Sequence, residues 1–134
     1  MNAWDDSYKS KQGNIGLGQA IAYYMSKGYI VLLPINDTQP YDLVVDKLDG
    51  NGLQKVSVKT TKSKGSNSPN FSVDLRSSGG NKSRYTNKLF DKNSCDILFV
   101  YTIENNIWEF PSKEIFVKSS ISLCENLYGQ YKIQ

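Results

Sequence analysis

The segment "YDLVVDKLDGNGLQKVSVKTT", residues 41–61, does most to limit the fold. Two runs rich in β-branched residues flank "DGNG", a cluster tolerant of left-handed backbone, and that combination marks a β-hairpin. A lone hairpin is marginal in water, so further elements must cover its apolar side. The flanks supply them. From Ile15 onward, Leu17, Ala20, Ile21, Tyr24 and Met25 recur at helical spacing, and Gly28 stands where such a helix would end. Residues 1–13 read as a flexible or loosely docked arm. "YIVLLP" reads as a buried strand stopped by Pro34. Past the hairpin, "KSKGSNSPN" is a polar loop and "FSVDLRS" alternates as a strand does. "SGGNKSRYTNK" is glycine-rich and basic, the pattern of a mobile loop near a partner. "CDILFVYTI" is the most apolar strand and is expected to lie centrally. "IWEFP" is a short strand, and "PSKEIFVKSS" reads as a short helix beginning near Pro111 or Ser112. This order predicts a mixed sheet flanked by helices, α/β or α+β in class, in one domain over residues 1–134.

Composition narrows the chemistry. The chain has no histidine, and its two cysteines, Cys95 and Cys124, are far apart. Zinc sites of the Cys/His type, Ser-His or Cys-His nucleophiles and histidine proton shuttles are therefore excluded. What remains is chemistry built on carboxylates, lysines, hydroxyls and a hard metal ion. "GNIGLG" neither follows a strand nor ends in GK[ST], so a nucleotide cofactor is not expected. No apolar run is long enough to span a membrane, and the polar N-terminus has no signal-like apolar region, so a cytoplasmic location is expected. The net charge is only +3, yet residues 55–92 carry nine Lys/Arg against Asp74 and Asp91 alone. That local excess fits either a solvated face or contact with a polyanion such as DNA.

The hairpin carries the chemical signal. Asp42 adjoins the apolar run Leu43–Val44–Val45, where an ionised carboxylate is costly unless paired, hydrogen-bonded or bound to a metal. Lys59 has the same problem on the return strand. Residues two apart on a strand share a face, roughly 6–7 Å apart, so Ser57 and Lys59 project together. The turn lays that face beside Asp42. Metal-assisted phosphodiester hydrolysis calls for a carboxylate and other hard oxygens to hold Mg²⁺, and for a cation to stabilise charge.

"PYD-LVV", the hairpin, and "VKTT", preceded by "KGYIVLLP", resemble the PD-(D/E)XK nuclease superfamily, particularly its small single-domain group of homing endonucleases and Holliday-junction-resolvase-like proteins. "FSVDLRSSGGNKSRY" and "CDILFVYTIENNIWEFPSKEI" extend the likeness over roughly residues 11–118. The resemblance implies a restriction-endonuclease-like core, a DNA substrate, Mg²⁺, and a homodimer or homotetramer. It assigns Asp42 as metal ligand, the Val58 carbonyl as a further ligand, and Lys59 as the residue that orients water or stabilises charge. Two positions depart from the pattern. Ser57 stands where an acid is expected, and Gln19 stands where the N-terminal helix often gives a glutamate. A displaced acid is sought among Asp5, Asp6, Asp37 and Glu104. Phosphate contacts are expected from Lys62, Lys64, Arg76, Lys82, Arg84 and Lys88. The alternative is a catalytically impaired nuclease fold that binds DNA or a protein.

Overall fold

A computed structural model describes residues 4, 9–36, 38–78 and 87–134. The helical periodicity becomes α1 (Lys9–Ser26), and Gly28 follows it at φ +78°, a conformation that favours glycine. Helix therefore replaces the expected arm over residues 9–13. Trp4 is docked rather than loose, stacking on Tyr101 at a centroid distance of 6.2 Å. The rest of the arm lies outside the described residues.

The main sheet is formed by β1 (Ile30–Leu32), β2 (Leu43–Asp46), β3 (Leu53–Thr61), β7 (Ile97–Thr102) and β8 (Ile107–Pro111), in the order β1-β2-β3-β7-β8. β2 and β3 form the expected antiparallel hairpin, with Leu43 opposite Val56 and Asp46 opposite Leu53. Leu48, Gly50 and Gly52 take positive φ in its turn. β3 and β7 run parallel, which requires a long crossover between them. The segment crossing over contributes β4 (Ser72–Asp74), β5 (Ser77–Ser78) and β6 (Asn87–Lys88). β5 and β6 pair with each other, while β4 pairs with β9 (Ser120–Ser122). The expected loop over residues 79–86 falls outside the described residues.

Three expectations change. β1 is an edge strand whose Ile30 and Leu32 are about half exposed (48% and 44%), because only the side carrying Val31 meets the core. The middle of the sheet belongs to β3. β7 lies beside it, and all six of its residues are buried because each of its faces meets a separate core. Finally, "PSKEIFVKSS" forms only a 3-10 turn at Ser112–Glu114 before the chain extends. Ile115 is drawn into the core there, and Phe116 and Val117 add no helical preference.

The two cores explain which face is which. On one face, Ala20 and Tyr24 of α1 pack with Val45, Val56, Ile97, Phe99 and Tyr101. On the other, Leu98, Val100, Trp108 and Phe110 pack with Phe71, Val73, Leu75, Ile121 and Leu123 of the β4–β9 layer. Met25, placed on the helical stripe by its spacing, is 62% exposed instead. The line of α1 nearest the sheet is Gly16, Ala20 and Tyr24, all buried. Gly16 sets how closely the helix approaches. A Cβ there would lie 2.2 Å from Thr60 Cγ2 and 3.2 Å from Val58 Cγ1. Thr60 is β-branched and stiff, so it has little room to turn aside.

Gly16→Ala is therefore expected to destabilise. Overpacking costs about 1–3 kcal/mol, against about 1 kcal/mol gained from helix propensity. Gly18 faces open space, and Gly18→Ala is expected to hold or raise stability. Urea unfolding of the two variants checks this. Equal gains in both would show that α1 does not depend on the close contact.

Candidate active site

The recess arises from how β2 begins. Leu43 faces Val56 in the ladder, and the Asp42 N–H also donates to the Val56 carbonyl at 2.8 Å. Two residues of the entering chain thus oppose one of β3, the arrangement of a β-bulge, which re-aims a side chain. Asp42 Oδ2 accepts the Val58 N–H at 2.7 Å. A carboxylate has taken the place that a backbone carbonyl of β2 would occupy. Main-chain groups two residues apart on a strand point to the same edge, so the Val58 carbonyl lies on this edge with the carboxylate.

The recess has a volume of about 380 Å³ and is lined by Asp42, Ser57, Val58, Lys59, Lys88 and Asp91, with Gln39, Pro40, Leu75, Ser77, Leu89, Phe90 and Ser94 around them. Ser57 and Lys59 do share a face, since they lie opposite Leu98 and Val100 in the parallel register with β7. Ser57 is only 8% exposed and Lys59 is half-buried. Part of Asp42 faces solvent, but its carboxyl sits deep enough for desolvation to be the largest influence on it. That burial raises its pKa above the ordinary carboxylate value, while the Val58 N–H and the Lys59 charge pull it back down. A perturbed carboxyl beside a lysine in a cleft is a pattern typical of functional centres.

Gln19 is not brought to this recess. α1 packs against the side of β3 that carries Val58 and Thr60, whereas Ser57 and Lys59 project from the other side. Glu104 lines a different cleft, with Trp108 and Lys132, and pairs with Lys64 at 3.9 Å. Asp5, Asp6 and Asp37 lie outside the described residues, as do Lys82 and Arg84. Of the expected phosphate contacts, Lys88 is at the recess. Lys62 donates to the Trp4 carbonyl at 2.7 Å, and Arg76 is held by Asp74 through Nε at 3.1 Å. Asp91 and Ser94 are among the lining residues that sequence reasoning did not single out. Their distance along the chain from Lys59 left no short-range signal.

A family model for PD-(D/E)XK endonucleases matches residues 8–132. The chain belongs to the PD-(D/E)XK endonuclease family. Its fold is also similar to that of a bacterial homing endonuclease, I-Ssp6803I, with a TM-score of 0.75 and 29% identity over 95% of this chain and 89% of that one. No curated protein matches the chain. As a PD-(D/E)XK endonuclease it belongs among the enzymes that hydrolyse phosphodiesters, and nucleases of this family generally use divalent metal ions.

The donor set can be tested against that requirement. Among the described residues, no group of three or more His, Cys, Asp or Glu side chains could hold a metal. The recess instead presents the Asp42 carboxylate, the Ser57 hydroxyl and the Asp91 carboxylate, with the Val58 carbonyl on its edge, and no thiolate or imidazole. Oxygen donors with one or two carboxylates suit a hard ion that keeps several waters and takes substrate phosphate oxygens. The residues therefore fit. Among the described residues, no helix is long and apolar enough to cross a membrane.

The raised pKa of Asp42 gives a stability prediction. The folded protein binds the carboxyl proton more tightly than the unfolded chain does. Ionising Asp42 therefore costs stability as pH rises through the window from the unfolded value to the raised folded value. Above that window the cost is fully present. Asp42→Asn keeps an oxygen for the Val58 N–H without the charge, so its Tm at neutral pH is expected to equal or exceed that of the parent. The gap should close in acid. A fall in Tm at pH 7 would show that the ionised form is favoured by the fold.

Proposed function

We propose that this PD-(D/E)XK endonuclease is a Mg²⁺-dependent DNA endonuclease. It cleaves double-stranded or branched DNA and acts as a homodimer or homotetramer that presents separate centres to separate strands. The observation that carries this reading is the convergence of Asp42, Ser57, Lys59 and Lys88 on one recess. Asp42 and the Val58 carbonyl would hold Mg²⁺, which when bound supplies Lewis acidity and lowers the pKa of water. Lys59 orients the attacking water or neutralises charge that builds on the phosphoryl oxygens. Lys88, at the rim, meets a phosphate of the same strand. Lys62, Lys64, Arg76, Lys82 and Arg84 add positive charge and bind the DNA backbone without reading sequence. The I-Ssp6803I homing endonuclease, similar over most of this chain, favours DNA as the substrate.

Ser57 supports a second reading. A serine in place of an acid removes a negative charge from the metal's surroundings, as expected in a nuclease fold that binds DNA or a protein without cutting. Titrating Mg²⁺ and Mn²⁺ against supercoiled, linear and four-way-junction DNA separates the two. The first reading expects metal-dependent cleavage, lost about a hundredfold or more in Asp42→Ala and Lys59→Ala. Cleavage that survives both substitutions would remove the recess from the mechanism. Absence of cutting on all three substrates, with DNA still bound, would favour the second reading. Lys88→Ala is expected to lower the slope of log affinity against log salt by about one, as removal of one phosphate contact does.

A further inference from the structure

We propose that Asp91 supplies the second carboxylate of the metal site, in place of the acid that Ser57 lacks. This rests on reading the recess as the nuclease centre. Asp42 and Asp91 enter the recess from different parts of the chain, one from the start of β2 and the other from the segment between β6 and β7. Ser57 lines the same recess, with a side chain shorter than the acid expected at its position and carrying no charge. Asp91, from the segment between β6 and β7, brings to that lining the carboxylate that Ser57 does not supply.

The position of Asp91 is fixed by several bonds. Its Oδ1 accepts the Asn93 N–H at 2.9 Å, and its main-chain carbonyl accepts the Ser94 N–H at 3.0 Å and the Ser94 hydroxyl at 2.6 Å. This turn leaves Oδ2 as the oxygen it does not use. The turn is itself tied to β3. The Asp96 N–H donates to the Lys55 carbonyl at 2.8 Å, and Asp96 Oδ2 accepts the Lys55 N–H at 2.8 Å. Buried Ser112 braces the other side, its hydroxyl donating to the Lys92 carbonyl at 2.7 Å and its N–H to the Asp96 carbonyl at 2.9 Å. Asp91 is thus anchored on a frame stitched to the strand that carries Ser57 and Lys59, as a ligand must be to hold its geometry. Lys59 and Lys88 line the same recess and offset the repulsion between two carboxylates before an ion arrives.

The test measures Mn²⁺ binding by the full chain without DNA, by calorimetry and by the loss of free-Mn²⁺ EPR signal. Asp91→Asn keeps the oxygen that accepts the Asn93 N–H, so the turn is retained. It is expected to weaken Mn²⁺ binding tenfold or more, as Asp42→Asn does. Adding Ser57→Asp to Asp91→Asn restores an acid at the other wall and is expected to recover much of the loss, a result that mere repair of a turn would not give. Asp91→Asn binding Mn²⁺ like the parent while Asp42→Asn does not would overturn the role of Asp91 and leave the centre standing. Weakened binding that Ser57→Asp does not improve would assign the loss to the turn and also overturn it. Unchanged binding in both single variants would sink the nuclease centre and this proposal together.

Discussion

The structure turns on the hydrogen bond from the Val58 N–H to the Asp42 carboxylate. β3 is the middle strand, and an interior strand must satisfy the backbone groups on both of its edges. Toward β7 the parallel ladder does so along Val56–Thr61. Toward β2 the ladder stops at Leu43, because the bulge at Asp42 shifts the chain and Pro40 offers no N–H for continuing it. The carboxylate fills the vacancy. One bond therefore satisfies β3, aims Asp42 at the face of Ser57 and Lys59, and leaves the Val58 carbonyl beside a charged oxygen.

The surroundings tune that arrangement. Burial raises the pKa of Asp42, and the Val58 N–H and Lys59 lower it, so the carboxyl is poised between an apolar layer and cations. The apolar layer is specific: Leu75, Leu89 and Phe90 line the recess, and Leu75 belongs to the core under the β4–β9 layer. The close packing of α1 on the opposite side, at Gly16 against Thr60 and Val58, fixes β3 from behind. The two faces divide the labour, one holding the strand and the other exposing its polar side chains.

Charge is distributed with similar economy. The cationic excess over residues 55–92 is not a uniform field. Arg76 is turned onto Asp74, Lys64 lies near Glu104 and over the Phe71 ring, and Lys62 reaches the Trp4 carbonyl. Such exposed pairs are weak and exchange readily for phosphate contacts. Lys59 and Lys88 differ in lining the recess itself, with Lys59 half-buried and Lys88 exposed at its rim.

The sequence by itself determined what depends on neighbours along the chain. Alternation and turn chemistry fixed the hairpin, whose ladder from Leu43 opposite Val56 brings the chain at Asp42 next to the strand of Ser57 and Lys59. Helical spacing fixed α1, and absence of histidine fixed the kind of chemistry. Only the tertiary structure decided which side of β3 the helix covers. That choice separates Gln19 from the recess, since a one-residue change of face carries a side chain through the sheet. It also set β1 at the edge, left Phe116 and Val117 outside any helix, and put Asp91 and Ser57 on the lining of one recess. The segment that crosses from β3 to β7 carries Asp91 to that recess more than thirty residues after Ser57, and periodicities of two or 3.6 do not extend over such a distance.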